Sequence, residues 1–198
     1  MEKQRVKQYA LILAVAGVLL AIGILIHPDE TKEGALTHPF WFLAHLIIGI
    51  AFVLIVFGLR AFEIKQDKLN GFDKFSITLA TLVTIIIVGL AFFVESFIVP
   101  ALANSQYADV LSETGPLMGG VFGTVLFVIL IIMALSFVLL GITVIVRKYA
   151  NPLAGIFLFG VVPFVFAPPL PWILGIIGGV LAGIGISWIG VSIFRNVK

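Results

Sequence analysis

Long runs of uncharged, apolar residues separated by short charged loops constrain this chain more than any other feature. Phe40–Leu59 carries no formal charge at neutral pH, and Glu95 is the only charge between Phe75 and Val99. A spanning helix needs about 20 predominantly apolar residues, and runs of this length and this low charge read as such helices. They predict an all-α polytopic bundle in one transmembrane domain, residues 1–198. Composition agrees: 61% of the 198 residues are hydrophobic and 11% charged, with a mean hydropathy of +1.23.

Six segments emerge: Tyr9–Ile26, Pro39–Leu59, Phe75–Val99, Leu117–Val146, Leu153–Phe166 and about Trp172–Phe194. A spanning helix needs about 20 residues. Segments one, two, three and six fit, and the 30 residues of segment four imply tilt or projection beyond the lipid. The fifth has 14 residues and contains Pro163. It reaches only about 21 Å as helix. Pro168-Pro169-Leu170-Pro171 follows and cannot be regular helix. The fifth segment is therefore short and proline-broken, either kinked or half of a re-entrant hairpin with the sixth.

Basic residues orient the chain. Eleven of the twelve Lys and Arg fall on one set of alternate loops and termini: Lys3, Arg5, Lys7, Arg60, Lys65, Lys68, Lys74, Arg147, Lys148, Arg195 and Lys198. Lys32 alone falls on the other. The positive-inside rule then puts both termini in the cytoplasm of a prokaryotic cell, the chain being multi-pass in its inner membrane. The basic, apolar N-terminus mimics a signal peptide, but Ile24-Leu25-Ile26-His27-Pro28 offers no small-residue cleavage site, so it reads as an uncleaved first helix. The outer loops carry Asp29, Glu30, Glu33, Asp109 and Glu113, an acidic rim that is solvated or forms a cation-attracting vestibule.

Several classes are excluded. With no cysteine there are no disulfides, thiolate metal sites or covalent haem attachment. No basic patch with interleaved aromatics indicates nucleic acid. No phosphate-binding loop, dinucleotide fingerprint, HExxH or nucleophile elbow is present, which points away from an enzyme.

The residues that carry chemistry are few. His45 and Glu95 are ionisable groups within apolar runs, where charge is expensive and usually faces a partner or a wet cavity. His45 lies six residues beyond Pro39, about 9 Å of helix, and Glu95 five residues before Pro100, about 7.5 Å. Both therefore occupy the outer half of the bilayer, and a His45–Glu95 hydrogen bond is expected. His38, Trp41 and His45 share a helix face, with His38 at the rim. His27, at the wet outer end of the first helix, can reach the same place. Three imidazoles and one carboxylate suit a divalent metal ion: zinc, iron or copper. The metal set is thus His27, His38, His45 and Glu95. A b-type haem is less favoured, because only His45 is deep enough for an axial ligand. The bland reading is an interhelical clasp.

Other expectations are structural. Asn70-Gly71 marks a turn, Asp73 caps the third helix, Thr114 or Gly115 precedes the fourth with Pro116 in its first turn, and Asn151-Pro152 starts the fifth. Thr84 either extends a polar path from Glu95 or bonds back to its own helix. Gly175, Gly179 and Gly183 form GxxxG steps, so the last helix is central to the bundle or forms a homo-oligomer or membrane-complex seam. Trp172 and Trp188 suit the two interfacial belts.

His38-Pro39-Phe40-Trp41 with Ala44-His45, followed by Phe92-Phe93-Val94-Glu95 and Pro100-Ala101-Leu102-Ala103, resembles a loose group of small six-helix prokaryotic membrane proteins with no assigned activity. The resemblance covers helices two and three and implies no reaction. The leading functional expectation is an outer-leaflet metal or cofactor site. A proton-coupled small-solute transporter or substrate-binding membrane subunit is the alternative, because a Glu beside a His can relay protons. A non-catalytic accessory subunit follows, and then an intramembrane hydrolase using metal-activated water.

Overall fold

The computed structural model describes residues 2–65, 69–112, 114–117, 119–166 and 170–197. Lys68, Glu113, Pro168, Pro169 and Lys198, used in the sequence reading, lie outside the described residues. The described chain is all helix and loop: α1 (Glu2–Leu25), α2 (Phe40–Lys65), α3 (Gly71–Ala103), α4 (Val121–Arg147), α5 (Pro152–Val165) and α6 (Trp172–Asn196). Among the described residues five helices are long and apolar enough to cross a membrane, α5 being the shorter one. The chain is a multi-pass membrane protein by this criterion.

Each helix packs on its neighbours in sequence, and α6 returns to α1 to close a ring. One buried apolar cluster draws residues from all six, including Leu20, Ile55, Ile77, Met133, Leu158 and Ile189. The outward faces are apolar too, with Leu25, Phe57, Leu82, Leu135 and Ile173 exposed. That inversion of the soluble pattern is what a lipid solvent permits, because lipid tails are as apolar as the core.

Small residues set the ring's tightest seam. A Cβ at Gly17 of α1 would stand 2.3 Å from the Ser187 backbone nitrogen of α6, and one at Gly183 would stand 2.7 Å from the Gly17 carbonyl oxygen. Gly179 packs against Ile24 and Phe164. Gly175, Gly179 and Gly183 are all buried within the chain, so α6 is central to the bundle.

Helix boundaries follow local chemistry. Asn70, not Asp73, caps α3: its side chain accepts from the Asp73 N–H at 2.8 Å. Asp73 is instead freed for an ion pair with Arg147. Asn151 caps α5 by accepting from Leu153 N–H at 3.0 Å, with Pro152 in the first turn. α4 starts later than the apolar run, after Gly120 and not at Thr114 or Gly115. Pro116 belongs to the preceding turns, where Gly115 lies against the Asp109 and Val110 carbonyls too closely for any side chain.

Two helices depart from α geometry. α3 widens into π-helical turns at Val88–Phe92 and Val94–Ile98, then resumes α geometry at Val99–Ala103. The Val99 N–H bonds to Val94 C=O, so the chain enters Pro100 already in a shifted register. A proline lacks the donor that α geometry needs and crowds the carbonyl four residues back; the wider turn relieves both. α3 therefore runs beyond Val99, to Ala103. α5 tightens to a 3₁₀ turn at Leu158–Gly160, just before Pro163.

Arg147 of α4 meets Asp73 of α3 at one end of the bundle, and Trp172 of α6 meets His27 at the other. α5 begins five residues past Arg147, near the arginine end, and α6 begins with Trp172 at the histidine end.

Candidate functional site

Four stretches converge at the histidine end: the exit of α1, the first turns of α2, the π-helical part of α3 and the start of α6. His27 is placed just past α1, where the backbone stops before Pro28. Its side chain is 6% exposed, so it is buried and not wet as its position suggested. Its ring lies between Trp41, at a centroid distance of 5.2 Å, and Trp172, at 5.5 Å. Burial holds its imidazole below the ordinary histidine value, against a smaller opposing effect from its bond to Pro28.

His27 and His45 face each other, Nε2 to Nε2, at 3.3 Å. The other nitrogen of each ring is already used. His27 Nδ1–H donates to the Pro28 carbonyl at 2.8 Å, and His45 Nδ1–H donates to the Trp41 carbonyl one turn back at 2.9 Å. A carbonyl oxygen can only accept, so both tautomers are assigned by their partners. Three contacts need three N–H hydrogens, and two neutral imidazoles supply two. The Nε2–Nε2 contact is therefore left without a proton or a cation to bridge it.

The expected His45–Glu95 hydrogen bond is absent among the described residues. Both His45 nitrogens are committed elsewhere, and α3 offers its backbone instead: Trp41 Nε1–H donates to the Glu95 carbonyl oxygen at 2.8 Å. Trp41 is 3% exposed, and its ring also stacks on His45 at 4.6 Å. It therefore joins α2 to the π-helical stretch while packing on both histidines. Glu95 itself is half-buried.

His38 does not join the cluster. It precedes α2, is exposed, and its Nδ1 accepts from Phe40 N–H at 3.2 Å. His38, the residue before Pro39, is extended and lies outside α2, so the helical phase that the seven-residue spacing to His45 assumed does not reach it. Thr84 bonds back to Ala80 C=O at 2.6 Å and extends no polar path.

Glu30 is the residue that sequence reasoning missed. Its Oε1 lies 3.6 Å from His27 Nε2, and its side chain is 47% exposed. Desolvation by the protein beside it, with a smaller contribution from Asp29, pushes its carboxyl up to about 6. The available signal was its spacing, three residues after His27. Asp29 is turned to other work, accepting from Thr31 N–H and Oγ1–H at 3.1 and 2.6 Å.

Among the described residues no three His, Asp or Glu side chains already converge as metal ligands. What stands ready is a two-imidazole pair with one carboxylate at its edge. No protein-family model, curated protein or solved structure matches this chain.

Proposed function

We propose that this is an integral membrane protein that binds one divalent transition-metal ion between His27 and His45. In this reading it crosses the inner membrane of a prokaryotic cell six times with both termini inside, and the site opens near the outer face. The orientation rests on the basic residues gathered at the arginine end, which the positive-inside rule assigns to the cytoplasm.

One observation carries the functional reading: the Nε2 atoms of the two rings stand 3.3 Å apart, and each is left without a hydrogen once its Nδ1–H serves a carbonyl. Left bare they repel. Two nitrogens bound to a tetrahedral zinc at about 2.0–2.1 Å stand about 3.3–3.4 Å from each other. Charge-assisted hydrogen bonds are shorter, about 2.7–2.9 Å. The Nδ1–H bonds to Pro28 and Trp41 are the outer-shell anchoring that metal-binding histidines use to hold tautomer and ring angle.

A second reading rests on the same count. An added proton also satisfies all three contacts, and a buried pair that takes up one proton suits a proton-coupled solute transporter.

Metal analysis of protein purified without chelator, followed by zinc and cobalt(II) titration of the stripped protein, tests the first reading. One ion per chain, lost in His45→Ala, is expected. No uptake at micromolar metal sinks it. In that event, pH-driven solute uptake in proteoliposomes that stops in His45→Ala carries the second.

A further inference from the structure

Resting on the metal reading, we propose that Glu30 is the third ligand of the ion and that Glu30 and Glu95 together set its charge at two plus. Two neutral imidazoles hold a metal but cancel none of its charge. In a low-dielectric site the uncancelled charge is costly, so the ion must be matched by carboxylates nearby. Two are within reach. Glu30 Oε1 already stands 3.6 Å from His27 Nε2, close to the separation of two ligands on one tetrahedral ion, about 3.3–3.4 Å. A swing of the Glu30 side chain toward the midpoint of the imidazole pair completes a three-ligand set of the His₂Glu kind. Glu95, whose backbone carbonyl is bound by the Trp41 indole beside both imidazoles, would supply the second negative charge when the ion is bound.

The neighbouring acids do not compete. The Asp29 carboxylate accepts two bonds from Thr31 and faces Lys32 Nζ at 3.6 Å. Glu33 is exposed and makes no contact with the cluster among the described residues. Glu30 is also the member of the set that reaches water, so the site is finished by a loop residue, while His45 is held within α2 and His27 directly after α1. Two imidazoles and a single ligating carboxylate are too nitrogen-rich for calcium or magnesium, which take oxygen ligands. They suit zinc, iron(II) or cobalt(II). With two carboxylates the site is neutral around a divalent ion. It is left negative by copper(I) and positive by iron(III).

Cobalt(II) titration of the purified full chain in detergent tests this, because its visible spectrum reports ligand number and type. Wild type, Glu30→Gln, Glu95→Gln and Asp29→Asn are compared. Expected are one cobalt(II) per wild-type chain and at least tenfold weaker binding with an altered spectrum in Glu30→Gln. Glu95→Gln should bind more weakly with an unaltered spectrum, and Asp29→Asn should match wild type. Glu30→Asp, which keeps the charge but shortens the reach, should recover part of the affinity. If wild type binds cobalt(II) and Glu30→Gln binds it equally well with the same spectrum, Glu30 is no ligand and the imidazole pair stands without it. If wild type binds none, the metal reading and this inference fall together. Equal weakening in Asp29→Asn would reduce the Glu30 effect to general loop charge and overturn its role as a ligand.

Discussion

Asp73, in the first turn of α3, takes both Nε–H and Nη2–H of Arg147 on a single carboxylate oxygen, Oδ2, each at 2.8 Å. Asp73 is 2% exposed, whereas the Arg147 side chain is 35% exposed. The pair is lopsided, with a buried anion held by a cation that water can still reach. Asp73 stands at the third helical position and supplies the N–H that the Asn70 cap accepts, which leaves its carboxylate for Arg147.

That asymmetry predicts an order of stabilities. Arg147→Leu leaves a buried carboxylate with no counter-charge, the costlier way to break such a pair. Asp73→Leu with Arg147→Leu removes both charges. Thermal unfolding in detergent should place the double variant above Arg147→Leu alone. The reverse order would mean that Asp73 is satisfied by groups other than Arg147.

The α1–α6 seam predicts opposite outcomes for two chemically identical changes. Gly17→Ala puts a Cβ 2.3 Å from a backbone nitrogen of α6, and backbone cannot yield as a side-chain tip can. Overpacking of this kind costs about 1–3 kcal/mol. Gly89→Ala, in the π-helical part of α3, meets nothing within 4 Å. It should be neutral or stabilising by about 0.4–1 kcal/mol, through lost freedom of the unfolded chain. Equal midpoints for the two variants would contradict the close α1–α6 crossing.

Much of this architecture was legible because lipid leaves so few alternatives. Apolar run lengths located all six helices, and Pro163 marked the segment that departs from regular geometry. The ends were less legible. Pro100 suggested a stop at Val99, but π-helical turns carry α3 through it. The site was half legible for a related reason. Depth and charge picked His45 and Glu95, yet helical phase could not say that His45 would turn to His27. That contact depends on how the α1 exit packs against α2, and no spacing within one helix encodes it. His38 was misplaced because the residue before Pro39 is extended and falls outside the helix. Glu30 was counted only as part of an acidic rim.

Tyr149 predicts a gain from deletion. It is 2% exposed, its ring packs edge-on to Phe62 at 5.1 Å, and its hydroxyl has no hydrogen-bond partner among the described residues. A buried unpartnered hydroxyl carries a desolvation cost with nothing to offset it. Tyr149→Phe keeps the ring packing and removes that cost, so its unfolding midpoint in detergent should rise. A fall would show that the hydroxyl has a partner in the membrane.

Trp41 supplies the test that separates a positioned site from a chance encounter of two imidazoles. Its carbonyl holds the His45 tautomer, its ring packs on His27 and His45, and its indole N–H bonds the Glu95 carbonyl at 2.8 Å. Trp41→Phe keeps the backbone carbonyl and most of the apolar area but deletes the indole donor. The Glu95 carbonyl then loses its side-chain partner, and the restraint on the π-helical stretch weakens. Outer-shell losses of this kind typically cost 10–100-fold in metal affinity. Trp41→Phe should therefore weaken cobalt(II) binding by about that factor, while His38→Ala, whose ring contacts are local ones to the N–H and ring of Phe40, should leave it unchanged. Competition titration against a chelating dye measures both. Weakening in His38→Ala equal to that in Trp41→Phe would return His38 to the ligand set and require the start of α2 to refold around the ion.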